Sequence, residues 1–136
     1  MRGFVVAVVL LAAALYARGE LSNEQKQKIK DYITDCISET DIDREVVDQA
    51  HRGMFQDDDK LPEFSLCMSK KMGFRDDSNR IRVDVVKEKI SEFVEDDNLA
   101  KEIFENCFVE KSTPEESALE SFKCFQRRTP DHFSFL

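Results

Sequence analysis

Apolar side chains recur at three- and four-residue steps along most of the chain, the period of helices that bury one face. Ser22 with Gln25 three residues on reads as a capping box, and behind it Ile29, Tyr32, Ile33, Cys36 and Ile37 predict a first helix over about residues 23–39. Asp41 or Asp43 can cap a short second helix carrying Val46, Val47 and Ala50, which Gly53 is placed to end in the left-handed conformation. Past the acidic loop Asp57–Asp59, Pro62 suits a first helical turn. Leu61, Phe64, Cys67, Met68 and Met72 then line one side of a third helix until Gly73 stops it.

After a polar loop around Asp76–Arg80, Val83, Val86, Ile90 and Phe93 repeat at helical intervals, with Lys87, Glu88, Lys89 and Glu92 on the other faces. Asp96 or Asp97 can cap a fifth helix, in which Leu99, Ile103, Phe104, Cys107 and Phe108 make a wide apolar arc. The sharpest start signal is Thr113-Pro114-Glu115-Glu116: threonine caps, proline takes the first helical position and Glu116 reaches back to the cap. Ala118, Leu119, Phe122 and Phe125 form the stripe of this sixth helix. Pro130 closes it before the tail Asp131-His132-Phe133-Ser134-Phe135-Leu136. No alternating run predicts a strand and no repeat appears, so the expected fold class is all-α, about six short helices in one domain.

The start of the chain breaks this pattern. One Arg, an apolar run from Phe4 to Ala14 and the small residues of Ala17-Arg18-Gly19 have the order of a secretory leader, which implies a secreted mature domain of residues 20–136. The run is shorter than the roughly 20 residues a membrane span needs, and no second such stretch occurs, so no span is expected after cleavage. Twenty-eight Asp and Glu against 20 Lys and Arg give the whole chain a net charge of −8; loss of Arg2 and Arg18 with the leader makes it −10. An acidic surface repels a polyanion, which argues against nucleic acid as a partner.

Secretion decides how the cysteines read. Cys36, Cys67, Cys107 and Cys124 are separated by 30, 39 and 16 residues, none of them the short knuckle that holds zinc. An even number in a small extracellular chain reads as a disulfide framework, without a metal. Four cysteines permit three connectivities, and composition does not choose among them. Two bridges, each contributing on the order of 3 kcal/mol, matter to a core this small.

Catalytic chemistry finds little material. Asp77 through Glu88 has oxygen ligands at three positions of a calcium loop, but Ile81 stands at the fifth position, Arg82 where the turn demands glycine, and Asp84 where an apolar residue is needed. Asp57–Asp59 reads as a solvated loop. Neither His51 nor His132 has a partner motif for nucleophilic or acid–base work, so both read as surface groups and the chain reads as a non-enzyme without a cofactor. His132, within an apolar tail, is a candidate pH-responsive group. The aromatic census says more: of 11 Phe only Phe4 lies in the leader, and there is no Trp. For any one Phe an ordinary core is the simpler explanation. Taken together with Met68, Met72 and the terminal Phe133, Phe135 and Leu136, they also suit an adaptable lining around an apolar ligand.

A leader, six predicted helices and cysteines on the first, third, fifth and sixth resemble the insect odorant-binding (pheromone-binding) proteins. Cys67-Met68-Ser69-Lys70-Lys71-Met72-Gly73-Phe74 is similar to that family's stretch after its third cysteine, and the 39-residue gap to Cys107 suits its next interval. The family's full pattern has six cysteines, and Glu63 and Glu115 stand where the other two would be. The match is therefore to the four-cysteine subclass called Minus-C, which implies the pairs Cys36–Cys67 and Cys107–Cys124. The missing bridge would tie the third helix to the sixth, so those two should separate more easily, and two carboxylates at its place argue for exposure.

The resemblance implies a secreted, non-enzymatic carrier that holds an odorant, pheromone or fatty-acid-like molecule in an apolar cavity between helices, without a metal or cofactor, as a single chain or weak homodimer, with delivery to an odorant receptor as one role. The expected lining is Tyr32, Ile33, Phe55, Phe64, Met68, Met72, Phe74, Val86, Ile90, Phe104, Phe108, Phe122 and Phe125, with Phe133, Phe135 and Leu136 as a lid and the Tyr32 hydroxyl as an orienting donor. Two other roles fit the same residues: sequestering a lipid or host mediator in haemolymph, saliva or venom, or docking a protein on an exposed helix face.

Overall fold

Capping chemistry fixes where the helices begin. In a computed structural model, which describes residues 22–129 and 132–136, six helices form: α1 Asn23–Thr40, α2 Arg44–His51, α3 Lys60–Lys71, α4 Val83–Phe93, α5 Asp97–Cys107 and α6 Pro114–Arg128. The leader, the Pro130 stop and Asp131 lie outside the described residues. At the head of α1, Ser22 Oγ accepts the Gln25 N–H at 3.1 Å while Gln25 Oε1 accepts the Ser22 N–H at 2.9 Å, closing the predicted box. Asp43 caps α2 and Asp96 caps α5; Asp41 instead ends α1 with a left-handed φ of 58°. Gly53 (φ 85°) and Gly73 (φ 79°) turn the chain out of α2 and α3, as their placement predicts.

Helix α3 begins at Lys60, which puts Pro62 in its first turn as expected; Asp59 makes no side-chain cap, and Asp58 accepts the Lys60 N–H at 2.8 Å. One start differs from expectation. At α6, Thr113 accepts the Glu116 N–H at 3.1 Å, but Glu116 does not return the bond. Ser117, buried on the inner side of the turn, ties the preceding loop to the helix start, its Oγ accepting the Lys111 N–H at 2.7 Å and donating to the Thr113 carbonyl at 2.8 Å, while Glu116 is exposed. Among the described residues there is no strand, only a single bridge between Arg75 and Ile81 across a turn in which Asp76 Oδ1 accepts the Ser78 and Arg80 N–H groups.

The centre of the bundle is the α3–α6 pair, the most extensive helix–helix contact in the described residues. Leu61, Phe64 and Met68 on α3 and Ala118, Leu119, Phe122 and Phe125 on α6 are buried. So are Ser65 and Ser69 on α3 and Ser117 and Ser121 on α6, small side chains that let helix backbones approach closely. Around this pair, α1 packs on α3, α5 packs on α6, and α4 packs on α5. Disulfides close the first two of these contacts: Cys36–Cys67 joins α1 to α3 and Cys107–Cys124 joins α5 to α6, with Cα–Cα distances of 5.8 and 5.2 Å. No helix among the described residues is long and apolar enough to cross a membrane.

Candidate functional site

The tail decides what space is left inside the bundle. After α6 the chain turns at Thr129, whose hydroxyl accepts the Phe133 N–H at 2.9 Å, and Ser134, Phe135 and Leu136 enter the interior and are buried. Phe135 becomes the hub of an aromatic cluster, with ring centroids 4.9 Å from Phe125, 5.4 Å from Phe74, 5.6 Å from Phe93 and 6.1 Å from Phe122. Phe133 stacks on Phe93 at 4.6 Å. His51 holds the end in place: its Nδ1–H donates to the Leu136 carbonyl at 2.7 Å. His51 is exposed, as expected of a surface group, and the bond adds a role that its sequence context does not show. His132 is exposed, with its ring Nδ1 at 3.3 Å from the Gln126 carbonyl.

The interior is consequently occupied by Phe135 where an enclosed cavity was expected. The reason is composition: three apolar tail residues, Phe133, Phe135 and Leu136, with a short connection to α6 bury more surface inside than over the mouth of a hollow. What remains is an open hollow of about 220 Å³ bounded by Gln25, Lys28, Ile29 and Tyr32 of α1, Met72 and Phe74 after α3, Lys89 and Phe93 of α4, and the Phe135 ring. Its floor and walls are aromatic and aliphatic. Its rim carries two ammonium groups and a carboxamide, and Lys89 is also 3.4 Å from Glu92.

Of the expected lining, the structure brings Tyr32, Met72, Phe74 and Phe135 to this hollow. Phe64, Met68, Val86, Ile90, Phe122, Phe125 and Leu136 are buried in the core behind it, and Ile33 packs against that core from α1. Phe104 and Phe108 stack at 6.2 Å along α5, with Lys87 above the Phe104 ring, away from the hollow. Phe55 lies elsewhere again, beneath the Lys123 ammonium at 5.3 Å. Sequence reasoning left Ile29 and Phe93 out of the lining. Both continue stripes it had already traced, one turn before Tyr32 and one turn after Ile90, and that continuity was the signal that could have found them.

Among the described residues the one grouping of metal-type ligands, Cys36, Glu39 and Cys67, has both sulfurs in a disulfide and so offers no thiolate. The geometry can exclude water from an apolar body and present charge and hydrogen-bond donors at its edge, which is a binding site's chemistry.

Residues 19–128 match the PBP/GOBP family. The B2 protein of Tenebrio molitor is 32% identical over 122 residues, covering 90% of this chain and 95% of that protein. Among solved structures, odorant binding protein 5 of Apis mellifera superposes with a TM-score of 0.67 at 24% identity over 84% of this chain and 97% of that one. The fatty acid binding protein OBP56a from the oral disk of the blowfly Phormia regina gives 0.65 at 22% identity over 80% and 95%. Six helices, four cysteines in two disulfides and this match over most of the chain carry one conclusion: the chain belongs to the PBP/GOBP family of insect odorant-binding proteins, a family of secreted small-ligand carriers, as a four-cysteine Minus-C member.

Proposed function

We propose that this protein, secreted after removal of residues 1–19, carries a fatty-acid-like or similarly amphipathic molecule whose apolar chain lies in the hollow beside Phe135. The observation that carries the reading is the pairing of an aromatic interior (Tyr32, Phe74, Phe93, Phe135) with Lys28 and Lys89 on the same rim. An apolar chain is held by burial and a carboxylate head by the ammonium groups, with the Tyr32 hydroxyl as a further donor. The blowfly neighbour's description as a fatty acid binding protein supports the same cargo class.

Size sets a condition on this reading. Ligand sites for small molecules commonly span about 300–1,000 Å³. The hollow has about 220 Å³. A long chain therefore needs the Phe133–Leu136 tail to yield, so the tail is the inner wall of the site and the part that adapts. Burying some 200–300 Å² of apolar ligand surface has a gross driving force near 5–7 kcal/mol, which alone corresponds to dissociation constants of roughly 10–200 μM before the cost of association, so micromolar affinity also needs the rim contacts to the head group.

Fluorescence of a naphthylamine dye tests this. The purified protein should give saturable emission that a C12–C16 fatty acid displaces, and Lys28→Met with Lys89→Met should weaken the acid about tenfold while leaving the uncharged dye unchanged. Absence of saturable, displaceable emission overturns the carrier reading. Equal loss for acid and dye overturns the assignment of the carboxylate to the rim.

A further inference from the structure

A second pocket, of about 470 Å³, lies where the chain leaving α2 meets the C-terminal half of α6, and it shares no residue with the apolar hollow. Among the described residues its charged lining is cationic: Arg52, Lys123 and Arg127, with His132 beside them. That is against composition, because the mature chain has a net charge of −10. In an acidic protein, basic side chains of which only Lys123 is paired leave a local positive field.

The partners of these groups sharpen the point. Lys123 lies 3.6 Å from Glu120 and also above the Phe55 ring. Arg52 uses its Nε–H only for the Asp48 carbonyl at 3.4 Å, and among the described residues neither Arg52 nor Arg127 makes an ion pair. Gln126, which lines the pocket, is 6% exposed; its Nε2 donates to the His51 carbonyl at 3.1 Å while its Oε1 is buried with no donor. A buried carboxamide oxygen without a partner marks a place where one belongs.

We propose that this pocket binds the phosphate of a small phosphomonoester with an apolar body. The guanidinium forks of Arg52 and Arg127 match the oxygens of a tetrahedral anion, Lys123 adds a point charge, and Phe55 packs the body attached to it. A phosphate dianion carries more charge and more acceptor oxygens than a carboxylate, which makes phosphate the better complement to two guanidinium forks and an ammonium.

Nuclear magnetic resonance titration of the purified, isotopically labelled protein at low ionic strength is the test, with phenyl phosphate, inorganic phosphate and benzoate as probes. Phenyl phosphate should shift the Gly53, Phe55 and Lys123 amides saturably, bind at least tenfold more tightly than benzoate or inorganic phosphate, and weaken with added salt. Arg52→Ala with Arg127→Ala should reduce its affinity at least tenfold and leave dye binding in the apolar hollow unchanged, while Arg52→Lys with Arg127→Lys, which keeps the charge, should restore part of it. Phosphatidylcholine vesicles with and without phosphatidic acid separate the sources: sedimentation with the acidic vesicles that the Ala variant loses assigns the phosphate to a lipid headgroup, and none assigns it to a soluble ester. No saturable shift, equal affinity for benzoate, or shifts confined to the Tyr32 and Phe74 region overturns the proposal.

Discussion

Two kinds of helix contact hold this bundle, and they differ in what does the holding. The α1–α3 and α5–α6 contacts are each closed by a disulfide, Cys36–Cys67 and Cys107–Cys124. The α3–α6 contact, the most extensive of all, has none: Glu63 and Glu115 stand where six-cysteine relatives would place the third bridge, lining a surface groove with Glu39, Lys70 and Lys71. Glu63 is exposed and Glu115 half-buried, in keeping with the cost of desolvating like charges. The sequence reading expects the unbridged pair to separate more easily. The packing argues the reverse, because Leu61, Phe64, Met68, Phe122 and Phe125 are almost wholly buried there. Sulfur is dispensable where burial already fixes the contact.

The hardest test of that contrast is to damage the burial. Phe64→Ala and Phe125→Ala should each cost about 3–5 kcal/mol in chemical denaturation, the range for truncating a buried Phe. Both rings are at most 1% exposed. Native-state hydrogen exchange should be slowest in α3 and α6. A cost below that of losing a disulfide, or fastest exchange in α3 or α6, would break the comparison and restore the expectation drawn from the missing bridge.

Next in size are the bridges themselves. With sequence separations of 31 and 17, the chain-entropy model assigns about 3.7 kcal/mol to Cys36–Cys67 and ~3.1 kcal/mol to Cys107–Cys124. Cys36→Ala with Cys67→Ala should therefore destabilise slightly more than Cys107→Ala with Cys124→Ala, as measured by urea unfolding free energies with m fitted for each variant, since opening a loop in the denatured chain raises m. The reverse order would mean that local packing around Cys107, at the end of α5, outweighs loop length.

What could be read from the sequence divides along the same line. Local chemistry was legible: the Ser22–Gln25 box, the Thr113-Pro114 start, and the glycines after α2 and α3 depend on neighbours a few residues away. Long-range chemistry was not. Ser65, Ser69, Ser117 and Ser121 fall outside the apolar stripes traced along the sequence, yet they are buried, and Ser65 and Ser117 satisfy their hydroxyls on the carbonyl four residues earlier, which frees them to sit between helices. Phe133–Leu136 has no period to analyse, so its docking was legible only as an apolar tail in need of a place. The cationic pocket joins Arg52 to Lys123 and Arg127 across most of the chain, and singly each reads as solvated surface.

The smallest effect comes from adding the absent bridge, and its sign separates two accounts of what a disulfide does. Glu63→Cys with Glu115→Cys closes a loop of about 52 residues, for which chain entropy sets a ceiling near 4 kcal/mol; engineered bonds usually deliver less, and a gain of about 1–2 kcal/mol is expected. Because α3 and α6 are already packed together, the new bond has little left to fix in the folded state, and its effect falls on the denatured chain. Refolding should then accelerate while the unfolding rate in denaturant stays within about twofold, since loop closure is prepaid and the native contacts are unchanged. If instead the oxidised variant unfolds much more slowly than the parent, the α3–α6 contact opens on the way to unfolding, and covalent closure was supplying something in six-cysteine relatives that burial here does not replace.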